Sequence, residues 1–588
     1  MCGIAGYTGS RDAAPILVEA LKKLEYRGYD SAGIATIYKS SIYWKKDTGH
    51  LAEVEAKHGL SLLPGSTGIG HVRWATRGVV NPCNAHPHFD CNGRIAVVHN
   101  GIIENATEIK NSLRERHLFS SDTDTEVIPH LLEEQFDRGE SPERALNFVN
   151  ALLVGPYAYL AVSSRFPGLV MASANGIALA IAKNGQGIFA GSDPGFFGGN
   201  ETVYLDKCEI ALLKPVGAAY FDASGNRIDK KPSILRGLYS FGSSIDGIHY
   251  MLKEILEQPL VIKDAVNQDG ALFVKAARQI IDSRQVVFTA CGTSRFAALL
   301  GRYLLSRVGR KFSDVVLASE FRYFSDSMDK YSLVIAVSQS GETADVLTGV
   351  KSARDAGASI ISVVNRENSS LTRLGDHNIM LNCGEEIAVA ATKSFTAEVV
   401  IFYLLSYAVA GRFDFIKERL TYLSDLLNSA LEENMVQAET LADELSHVSS
   451  CFVIGRGPNL HIAAEAALKL KEIAYIHTEG MPAGELKHGS LALVEKGMPV
   501  LAVCPRDFTF ADTIANAAEA KARGARIIGV SDENNELFDT WMKIPKVDEA
   551  LYPLVSIVPL QLLAYYSALE RGHDPDRPRN LAKSVTVK

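Results

Sequence analysis

The spacing of apolar and polar residues divides the chain into two parts. Over about the first 220 residues, short β-branched and aromatic runs alternate with Gly, Asn and Asp turns, as in SAGIATIYKSSIYWKK and PYAYLAVSS. This pattern predicts antiparallel strands and hairpins. From about Leu252, long helical patterns alternate with short apolar strands, which predicts α/β layers with parallel sheets. The polar, turn-rich segment between them, FDASGNRIDKKPSILRGLYSFGSSIDGI, predicts a linker.

The second part contains an internal repeat. VFTACGTSRFAA aligns with FVIGRGPNLHIAA, which places Gly292 on Gly457. Further along, VIAVSQSGET aligns with VLAVCPRDFT, and Gly357 then falls on Gly524, all at a shift of 165 to 167 positions. Three ordered matches at a nearly constant shift predict tandem copies of one α/β domain rather than chance similarity.

Composition narrows the class of protein. At 588 residues the chain exceeds a single hydrophobic core, and its 47% apolar and 22% charged residues are typical of globular proteins. The net charge of −8 gives no electrostatic reason to expect nucleic acid or an anionic membrane. The longest apolar run, VVIFYLLSYAVAG, is too short to span a bilayer. Eight scattered cysteines predict reduced thiols, so we expect a cytoplasmic protein with no membrane or nucleic-acid partner.

The first ten residues, MCGIAGYTGS, place a cysteine at position 2. Because residue 2 is small, we expect Met1 to be removed, which leaves a thiol and a free α-amine on one carbon. In model peptides these groups titrate at about 8.5 and about 7.7–8.0, so the amine can serve as the base for the thiol. The alternative is an accidental cysteine on a frayed terminus.

Two loops of the second part combine a predicted strand, small hydroxyl residues and a predicted helix. They are CGTS, residues 291–294, and SQSGET, residues 338–343. Backbone N–H and side-chain O–H donors at a helix N-terminus favour an anion. One such loop is more often only a helix cap, but two at the carboxyl ends of neighbouring strands predict a phosphate site. GxxxxGK[ST] does not occur in the sequence, so a nucleotide is not implied.

SQSGETAD, the tandem duplication, LKLKEI, GELKHG and PRNLAKSVTVK together resemble the sugar isomerase (SIS) domains of the glutamine–fructose-6-phosphate aminotransferase family. The resemblance implies two α/β SIS domains with parallel sheets flanked by helices. It implies that Lys583 forms a Schiff base with C2 of an open-chain ketose, and that Glu472 moves a proton between C1 and C2. Lys469, one helical turn before Glu472, shares its face and can tune its charge.

The resemblance also implies that His488 is a ring-opening acid/base reaching in from a second subunit, and therefore a homodimer. Without the motifs around them, these residues would have ordinary structural interpretations. Lys469 and Glu472 would form a surface ion pair, His488 would be a structural histidine, and Lys583 would be a solvated lysine of the C-terminal tail. The residues that the resemblance assigns to the sugar-phosphate site are Thr293, Ser294, Ser338, Gln339, Ser340, Thr343, Val389 and Ala582, the last two through their backbones.

MCGIAGY, EYRGYDSAG, GHVRWAT, NAHPH, VVHNGIIEN and SDTDTEV resemble the class II glutamine amidotransferase domain. This domain is an N-terminal-nucleophile hydrolase, which implies an α+β fold with an αββα sandwich. The resemblance makes Cys2 the nucleophile that attacks the glutamine carboxamide, and Asn100 with Gly101 the oxyanion hole. The glutamine-binding residues that it implies are Arg73 for the α-carboxylate, Asp124 for the α-ammonium, and Arg27, Trp74, Thr76 and His86, with Trp74 also gating an ammonia channel.

Separately, an ion pair between Arg73 and Asp124, or a hairpin turn at Asn100-Gly101, would be an ordinary structural feature. A zinc set is a further alternative, since Cys83, His86, His88 and Cys91 read C-x2-H-x-H-x2-C. That spacing matches none of the usual structural zinc patterns. The sugar reaction also needs no metal, since Lys583 would supply the imine and Glu472 the proton transfer. We therefore predict no metal and no organic cofactor.

The predicted organisation has five parts: residues 1–220 glutaminase, 221–250 linker, 251–420 first SIS domain, 435–572 second SIS domain, and 573–588 a tail completing the sugar site. The implied activity is glutamine-dependent conversion of fructose 6-phosphate to glucosamine 6-phosphate and glutamate, with ammonia passed internally. Arg77 departs from the family's usual RWATHG, and segments such as NRENSSLTR also differ from the commonest versions. A paralogue acting on another keto-sugar phosphate, or a non-catalytic sugar-phosphate sensor, are the alternatives.

Overall fold

The computed structural model describes residues 2–192, 201–205, 207–234 and 249–585. These residues form two compact units, one containing the described residues up to Ile234 and the other those from His249 to Lys583. The middle of the predicted linker, residues 235–248, and the last three residues of the predicted tail lie outside the described residues.

The first unit is built mainly from antiparallel strands. They are β1 (Gly3–Gly9), β2 (Ser31–Tyr38), β3 (Ser41–Thr48), β4 (Thr67–Arg73), β5 (His88–Phe89), β6 (Ile95–Gly101), β7 (Tyr157–Ser163), β8 (Val170–Asn175), β9 (Ala180–Asn184), β10 (Gly187–Gly191), β11 (Glu201–Tyr204), β12 (Glu209–Lys214), β13 (Gly217–Phe221), β14 (Arg227–Ile228) and β15 (Ser233–Ile234). Its helices are α1 (Ala13–Leu24), α2 (Leu51–His58), α3 (Ala106–Leu113), α4 (Val127–Asp137) and α5 (Pro142–Leu152). Strands β14 and β15 lie within the segment predicted as the linker.

These strands form two stacked sheets. The first has the order β15-β11-β9-β10-β1-β4-β2-β3 and the second β14-β13-β12-β8-β7-β6-β5. Apolar residues of both sheets, including Ile4, Val98 and Leu160, fill the space between them. Helix α1 covers the outer face of the first sheet, and α4 and α5 cover the second. The layers confirm the predicted αββα sandwich, and covering both faces explains why β1 is buried along its whole length.

The second unit alternates strands with helices. Its strands are β16 (Gln285–Ala290), β17 (Asp314–Leu317), β18 (Ser332–Ser338), β19 (Ser359–Val364), β20 (His377–Met380), β21 (Ser450–Gly455), β22 (His477–Pro482), β23 (Pro499–Val503), β24 (Arg526–Ser531) and β25 (Thr540–Lys543). Its helices are α6 (Tyr250–Leu256), α7 (Gln258–Val266), α8 (Gly270–Asp282), α9 (Gly292–Arg307), α10 (Ala318–Phe321), α11 (Ala344–Asp355), α12 (Ser370–Leu374), α13 (Lys393–Val409), α14 (Phe413–Leu445), α15 (Asn459–Ile473), α16 (Phe510–Lys521) and α17 (Tyr552–Glu570).

The two parallel sheets of this unit have the same topology, which confirms the predicted duplication. Their orders are β17-β16-β18-β19-β20 and β22-β21-β23-β24-β25. The aligned glycines also share their backbone conformation: φ is +52° at Gly292 and +54° at Gly457, and +93° at Gly357 and +95° at Gly524. Since left-handed backbone favours glycine, the repeat preserved glycine where both loops turn in the same way.

Three helices hold the repeats together. Helix α14 runs without interruption across residues 421–434. The predicted domain bounds assigned these residues to neither repeat. Helices α13 and α17 are apolar on all sides and are buried in one core that the repeats share. By length and composition, residues Glu549–Glu570 would also pass as a membrane span, with mean hydropathy 1.3, yet 89% of that stretch is buried inside the fold. Burial of this kind is typical of a core helix in a globular domain.

Candidate active sites

The Cys2 thiol lies just before β1, a central strand of the first sheet. The backbone N–H of Trp74 donates to Cys2 Sγ at 3.4 Å, and Arg27 Nε donates to the Cys2 carbonyl at 3.3 Å. Burial raises the pKa of the thiol, which is opposed by the Trp74 hydrogen bond and the nearby Arg73 charge. The thiol therefore needs a base before it can act as a nucleophile.

A cation and an anion lie within electrostatic range of this thiol. Arg73 ends β4, and its Nη2 donates to the carbonyl oxygens of Arg77 and Gly78, whereas its Nη1 is buried and has no hydrogen-bond partner among the described residues. Asp124 Oδ2 accepts the backbone N–H of Ile103 at 2.7 Å. The two side chains shift the Cys2 pKa in opposite directions. A fixed guanidinium and a fixed carboxylate suit a zwitterionic amino acid.

Asn100 and Gly101 end β6 in the second sheet. Both amide atoms of the Asn100 side chain are buried without a hydrogen-bond partner among the described residues. At Gly101 φ is +134°, and a Cβ there would lie 2.3 Å from the carbonyl oxygen of Pro156, so only glycine fits. A buried amide without a partner is costly, and a ligand oxygen would satisfy it.

We predict that Asn100→Ala lowers kcat for glutamine hydrolysis by about 10²- to 10³-fold, because one oxyanion donor typically supplies this much. KM for glutamine should change little, since the amide acts mainly on the transition state. Steady-state glutamate release measures both constants. Asn105→Ala is the matched control, because Asn105 hydrogen-bonds only backbone groups near Leu152 and Val154. A loss below tenfold for Asn100→Ala would remove it from the oxyanion hole.

Buried histidines connect β4 to β6 beside these residues. His71 Nε2 donates to the His99 carbonyl at 3.0 Å, and the His99 N–H donates to His86 Nδ1 at 3.4 Å. The rings of His71 and His86 stack with centroids 3.9 Å apart. Burial lowers the pKa of all three imidazoles, so they are neutral. His86, predicted to contact glutamine, is thus also part of the packing that aligns the two strands.

Acidification is expected to destabilise the first unit through these histidines. The unfolded chain binds a proton on each imidazole below about pH 6.5, whereas the folded chain does not until the pH is lower. Their contribution to stability is therefore complete above about pH 6.5 and falls by up to about 1.4 kcal/mol per pH unit for each histidine below it. Denaturant unfolding across this range measures the slope. His71→Asn should make the slope shallower than that of the wild type; equal slopes would contradict the prediction.

The segment after β4 carries the remaining predicted glutamine residues. Its backbone is held where Asp30 Oδ2 accepts the Ala75 N–H at 2.7 Å, and the Trp74 ring meets Tyr29 edge-on at 6.1 Å. Thr76 is exposed. Arg77, the departure from the usual histidine, contacts Arg73 through its backbone carbonyl. That contact does not depend on the side chain at position 77.

In the second unit, the SQSGET loop connects β18 to α11. Ser338 Oγ accepts the Gly341 N–H at 3.1 Å and lies 3.0 Å from Thr343 Oγ1, and Ser340 Oγ accepts the Glu342 N–H. The Gln339 carbonyl accepts the Asn365 N–H at 3.1 Å. These bonds fix a tight loop of small hydroxyl residues at the start of a 12-residue helix. The arrangement suits a phosphate group.

The other predicted phosphate loop has different side-chain partners. Thr293 Oγ1 donates to Glu465 Oε1 at 3.2 Å, and Ser294 Oγ donates to Glu398 Oε1 at 2.7 Å. Burial raises the pKa of both carboxyls to about 8. Burial therefore disfavours the charged form of both carboxyl groups, and the nearby Lys469 amine opposes this shift at Glu465. No motif or spacing in the sequence indicates a role for Glu398. Glu465 lies four residues before Lys469, so helical spacing alone places the two on one face.

Lys469 is fully buried on α15 at the centre of this region. Its Nζ lies 2.5 Å from Glu472 Oε2 and 3.4 Å from Glu465 Oε1, and donates to Thr293 Oγ1 at 3.1 Å. Burial alone would lower the pKa of this amine, but the two carboxylates raise it to about 12. Lys469 therefore carries a permanent positive charge beside Glu472, on the face that the i, i+3 spacing predicted.

Lys583 is buried in an ion pair that the sequence did not predict. Its Nζ lies 2.5 Å from Glu386 Oε2, with the two side chains 6% and 0% exposed. Glu386 also accepts the N–H groups of Thr392 and Ser394. Burial would raise the Glu386 pKa, but Lys583 and these bonds hold it at about 2. Glu386 lies in a loop before α13, where no motif or periodicity marked it.

The remaining predicted residues lie around this region in different ways. The Val389 N–H donates to the Asp576 carbonyl at 3.1 Å. Ala582 is half-buried next to Lys583, whereas His488 is exposed at the end of the short 3₁₀ helix Ala483–His488. The pKa of Glu398 responds to Glu386, Glu465 and Lys583, so residues of both repeats and the C-terminal segment converge here.

The zinc set suggested by the sequence does not assemble. His86 stacks on His71, His88 Nε2 pairs with Thr123 Oγ1 at 3.0 Å, and Cys83 is exposed. Among the described residues, one group of His, Cys, Asp and Glu side chains brings at least three potential ligand atoms together. Of the four residues in the predicted zinc set, this group contains only Cys91.

Known protein families match the chain in the same order as its folded units. A family model described as a glutamine amidotransferase domain matches residues 71–194, and one described as a SIS domain matches residues 279–408 and 444–571. The fold and the two groups of polar residues thus define a glutamine amidotransferase domain followed by two SIS domains.

Relatives named glutamine–fructose-6-phosphate aminotransferase (isomerizing) match the whole chain. Those from Thermococcus kodakarensis and Methanothermobacter thermautotrophicus are 43% and 44% identical, over 100% of this chain and of theirs. The solved C-terminal domain of glucosamine-fructose-6-phosphate aminotransferase from Francisella tularensis is 34% identical, with a TM-score of 0.54, and covers 57% of this chain and 100% of that chain. This chain belongs to the glutamine–fructose-6-phosphate aminotransferase (isomerizing) family, which confirms the resemblance.

Proposed function

We propose that this chain hydrolyses glutamine at Cys2 and uses the ammonia to convert fructose 6-phosphate into glucosamine 6-phosphate. The observation that carries the proposal is the buried Lys583–Glu386 pair in the same region as Lys469 and Glu472. A sugar-phosphate sensor would need neither a buried amine nor a charged carboxylate–lysine pair, both of which are costly to bury.

The glutaminase step begins with loss of the Cys2 proton. After removal of Met1, the α-amine of Cys2 accepts that proton, and the thiolate attacks the carboxamide carbon. Asn100 and the Gly101 N–H stabilise the oxyanion, and ammonia leaves. Arg73 binds the α-carboxylate and Asp124 the α-ammonium, with Arg27, Trp74, Thr76 and His86 forming the surrounding pocket. Water then releases glutamate from the thioester.

The sugar step begins with phosphate held by the loops at residues 293–294 and 338–343. After His488 promotes ring opening, the Lys583 amine loses its proton to solvent and condenses with C2 of the ketose, and water leaves. Ammonia replaces lysine at C2, and Glu472 moves a proton between C1 and C2. Lys469 stabilises negative charge on Glu472, and the backbones of Val389 and Ala582 orient the sugar. Residues 573–588 would complete this site.

The decisive experiment supplies glutamine and fructose 6-phosphate to protein whose loss of Met1 has been confirmed by mass spectrometry. Glutamate and hexosamine 6-phosphate are then quantified together. Equal amounts are expected. Glutamate without amino sugar would redirect the search to another keto-sugar phosphate. If neither product forms, the non-catalytic sensor remains as the interpretation. Amide-¹⁵N glutamine in excess unlabelled ammonium tests internal transfer, because a channel keeps the label in the product.

We also propose that the enzyme is a cytoplasmic homodimer in which His488 completes the partner's sugar site. The exposure of His488 and the eight free cysteines support this arrangement. Mixed dimers of Lys583→Ala and His488→Ala chains provide the test. If His488 acts across the interface, the mixed dimer regains one intact site although each parent is inactive. If it acts within its own chain, mixing restores nothing.

A further inference from the structure

Four side chains outside both candidate sites converge in the first unit: Cys91, His117, His130 and Glu133. Cys91 follows β5, His117 lies between α3 and α4, and His130 and Glu133 lie one turn apart on α4. One potential ligand atom from each residue lies within 4.8 Å of all the others. The cluster thus joins three segments that are separate in the sequence.

Four of the six distances among these atoms match the ligand spacing of a tetrahedral metal site, and the other two are below 4.8 Å. Cys91 Sγ lies 3.4 Å from His117 Nδ1 and 3.6 Å from His130 Nδ1. Glu133 Oε2 lies 3.0 and 3.4 Å from the same two nitrogens. Around tetrahedral zinc, with bonds of about 2.0–2.3 Å, neighbouring ligand atoms are roughly 3.3–3.6 Å apart. The four measured edges lie within a few tenths of an ångström of these values.

The outer nitrogens of both imidazoles face carboxylates. His117 Nε2 lies 3.5 Å from Glu134 Oε1, and His130 Nε2 lies 3.9 Å from Glu126 Oε1. With a proton on Nε2 directed at these carboxylates, each Nδ1 would present its lone pair to the interior, in place of its present contact with Glu133 Oε2. Sulfur, two nitrogens and a carboxylate oxygen then converge as acceptors. Carboxylate–histidine–metal chains have this arrangement.

We propose that Cys91, His117, His130 and Glu133 bind one zinc ion. A thiolate, two imidazoles and a carboxylate in tetrahedral geometry suit Zn²⁺ rather than Mg²⁺ or Ca²⁺, which prefer oxygen ligands and higher coordination. The side chains of His117, His130 and Glu133 are 7%, 1% and 8% exposed, whereas Cys91 is exposed and offers an entry route. Four protein ligands leave no open position, so the ion is structural.

The ion would stabilise the glutamine pocket. Residues 118–126, which include Asp124, lie between the ligands His117 and His130. With both ends fixed to the turn after β5, this segment holds the Asp124 carboxylate against the Ile103 N–H. Zinc would therefore support the group that we propose to bind the glutamine ammonium without touching the substrate.

The test measures metal in the full-length protein, purified without chelators or a histidine tag. Elemental analysis should find one zinc per chain. Replacement by Co²⁺ should give intense visible bands of tetrahedral cobalt and a near-ultraviolet thiolate charge-transfer band. Cys91→Ser should lose the charge-transfer band and bind zinc at least about tenfold more weakly. Cys83→Ser, a nearby exposed cysteine outside the cluster, is the matched control and should behave like the wild type.

Two outcomes would overturn the proposal. The first is a wild-type protein that holds no zinc as purified, gains none after dialysis against Zn²⁺, and does not change its Tm. The metal-free alternative, in which Nδ1 of each imidazole donates to the Glu133 carboxylate, would give this result. The second is a cobalt spectrum that Cys91→Ser leaves unchanged. If Cys91→Ser fails to fold, the wild-type zinc content and cobalt spectrum still decide, and His117→Gln provides a second variant.

Discussion

Replacing Cys2 by alanine is expected to lower glutamine hydrolysis by about 10⁴-fold or more, because loss of a covalent nucleophile removes the step on which the other groups act. The Cys2 thiol lies within electrostatic range of both Arg73 and Asp124, and Arg73 Nη1, which has no partner in the part of the chain that the structure describes, remains available for substrate. Glutamine should therefore still bind. Glutamate release measures the rate, and isothermal calorimetry measures the affinity.

The same variant separates the two halves of the enzyme. With ammonium salts in place of glutamine, Cys2→Ala should still act on fructose 6-phosphate, since Lys583 and Glu472 are unchanged. Cys208→Ala, a half-buried cysteine elsewhere in the first unit, is the control and should retain glutaminase activity. If Cys2→Ala kept substantial glutaminase activity, the N-terminal-nucleophile mechanism would be wrong for this chain.

Replacing Lys583 by alanine is expected to lower formation of hexosamine 6-phosphate by about 10³-fold or more, because the imine with the ketose cannot form. The amine is 6% exposed and its Glu386 partner is fully buried. Removing the lysine leaves a buried carboxylate without its cation, so the Glu386 pKa should rise from about 2 and part of the stability should be lost.

Two further variants separate chemistry from stability. Lys583→Ala/Glu386→Gln removes both charges, so it should recover stability without recovering activity. Borohydride reduction in the presence of fructose 6-phosphate should attach the sugar to the wild type at Lys583, as identified by peptide mass spectrometry. Glutamate release by Lys583→Ala should persist. If borohydride trapped the sugar elsewhere, Lys583 would not be the imine-forming residue.

Local patterns in the sequence determined a large share of this architecture. Short β-branched runs between turn residues predicted the antiparallel strands and hairpins of the first unit, because a strand with a buried face needs apolar residues on that face. The constant shift between Gly292 and Gly457 predicted two copies of one sheet, and both glycines have the same left-handed φ. Motifs at strand ends and the cysteine at position 2 located both candidate sites. A phosphate loop and an N-terminal nucleophile are each formed by a few contiguous residues, so a short stretch of sequence is enough to show them.

Only the tertiary structure decided which charges are neutralised and by what. Glu386 and Glu398 reach Lys583 and Ser294 across sequence separations of 197 and 104 residues, distances at which no pattern in the chain links two positions. The sequence grouped Cys91 with His86 and His88 because they are neighbours, whereas the fold groups it with His117, His130 and Glu133. Ionisation and ligation depend on burial and on atoms within a few ångströms, and these are properties of packing that local sequence does not contain.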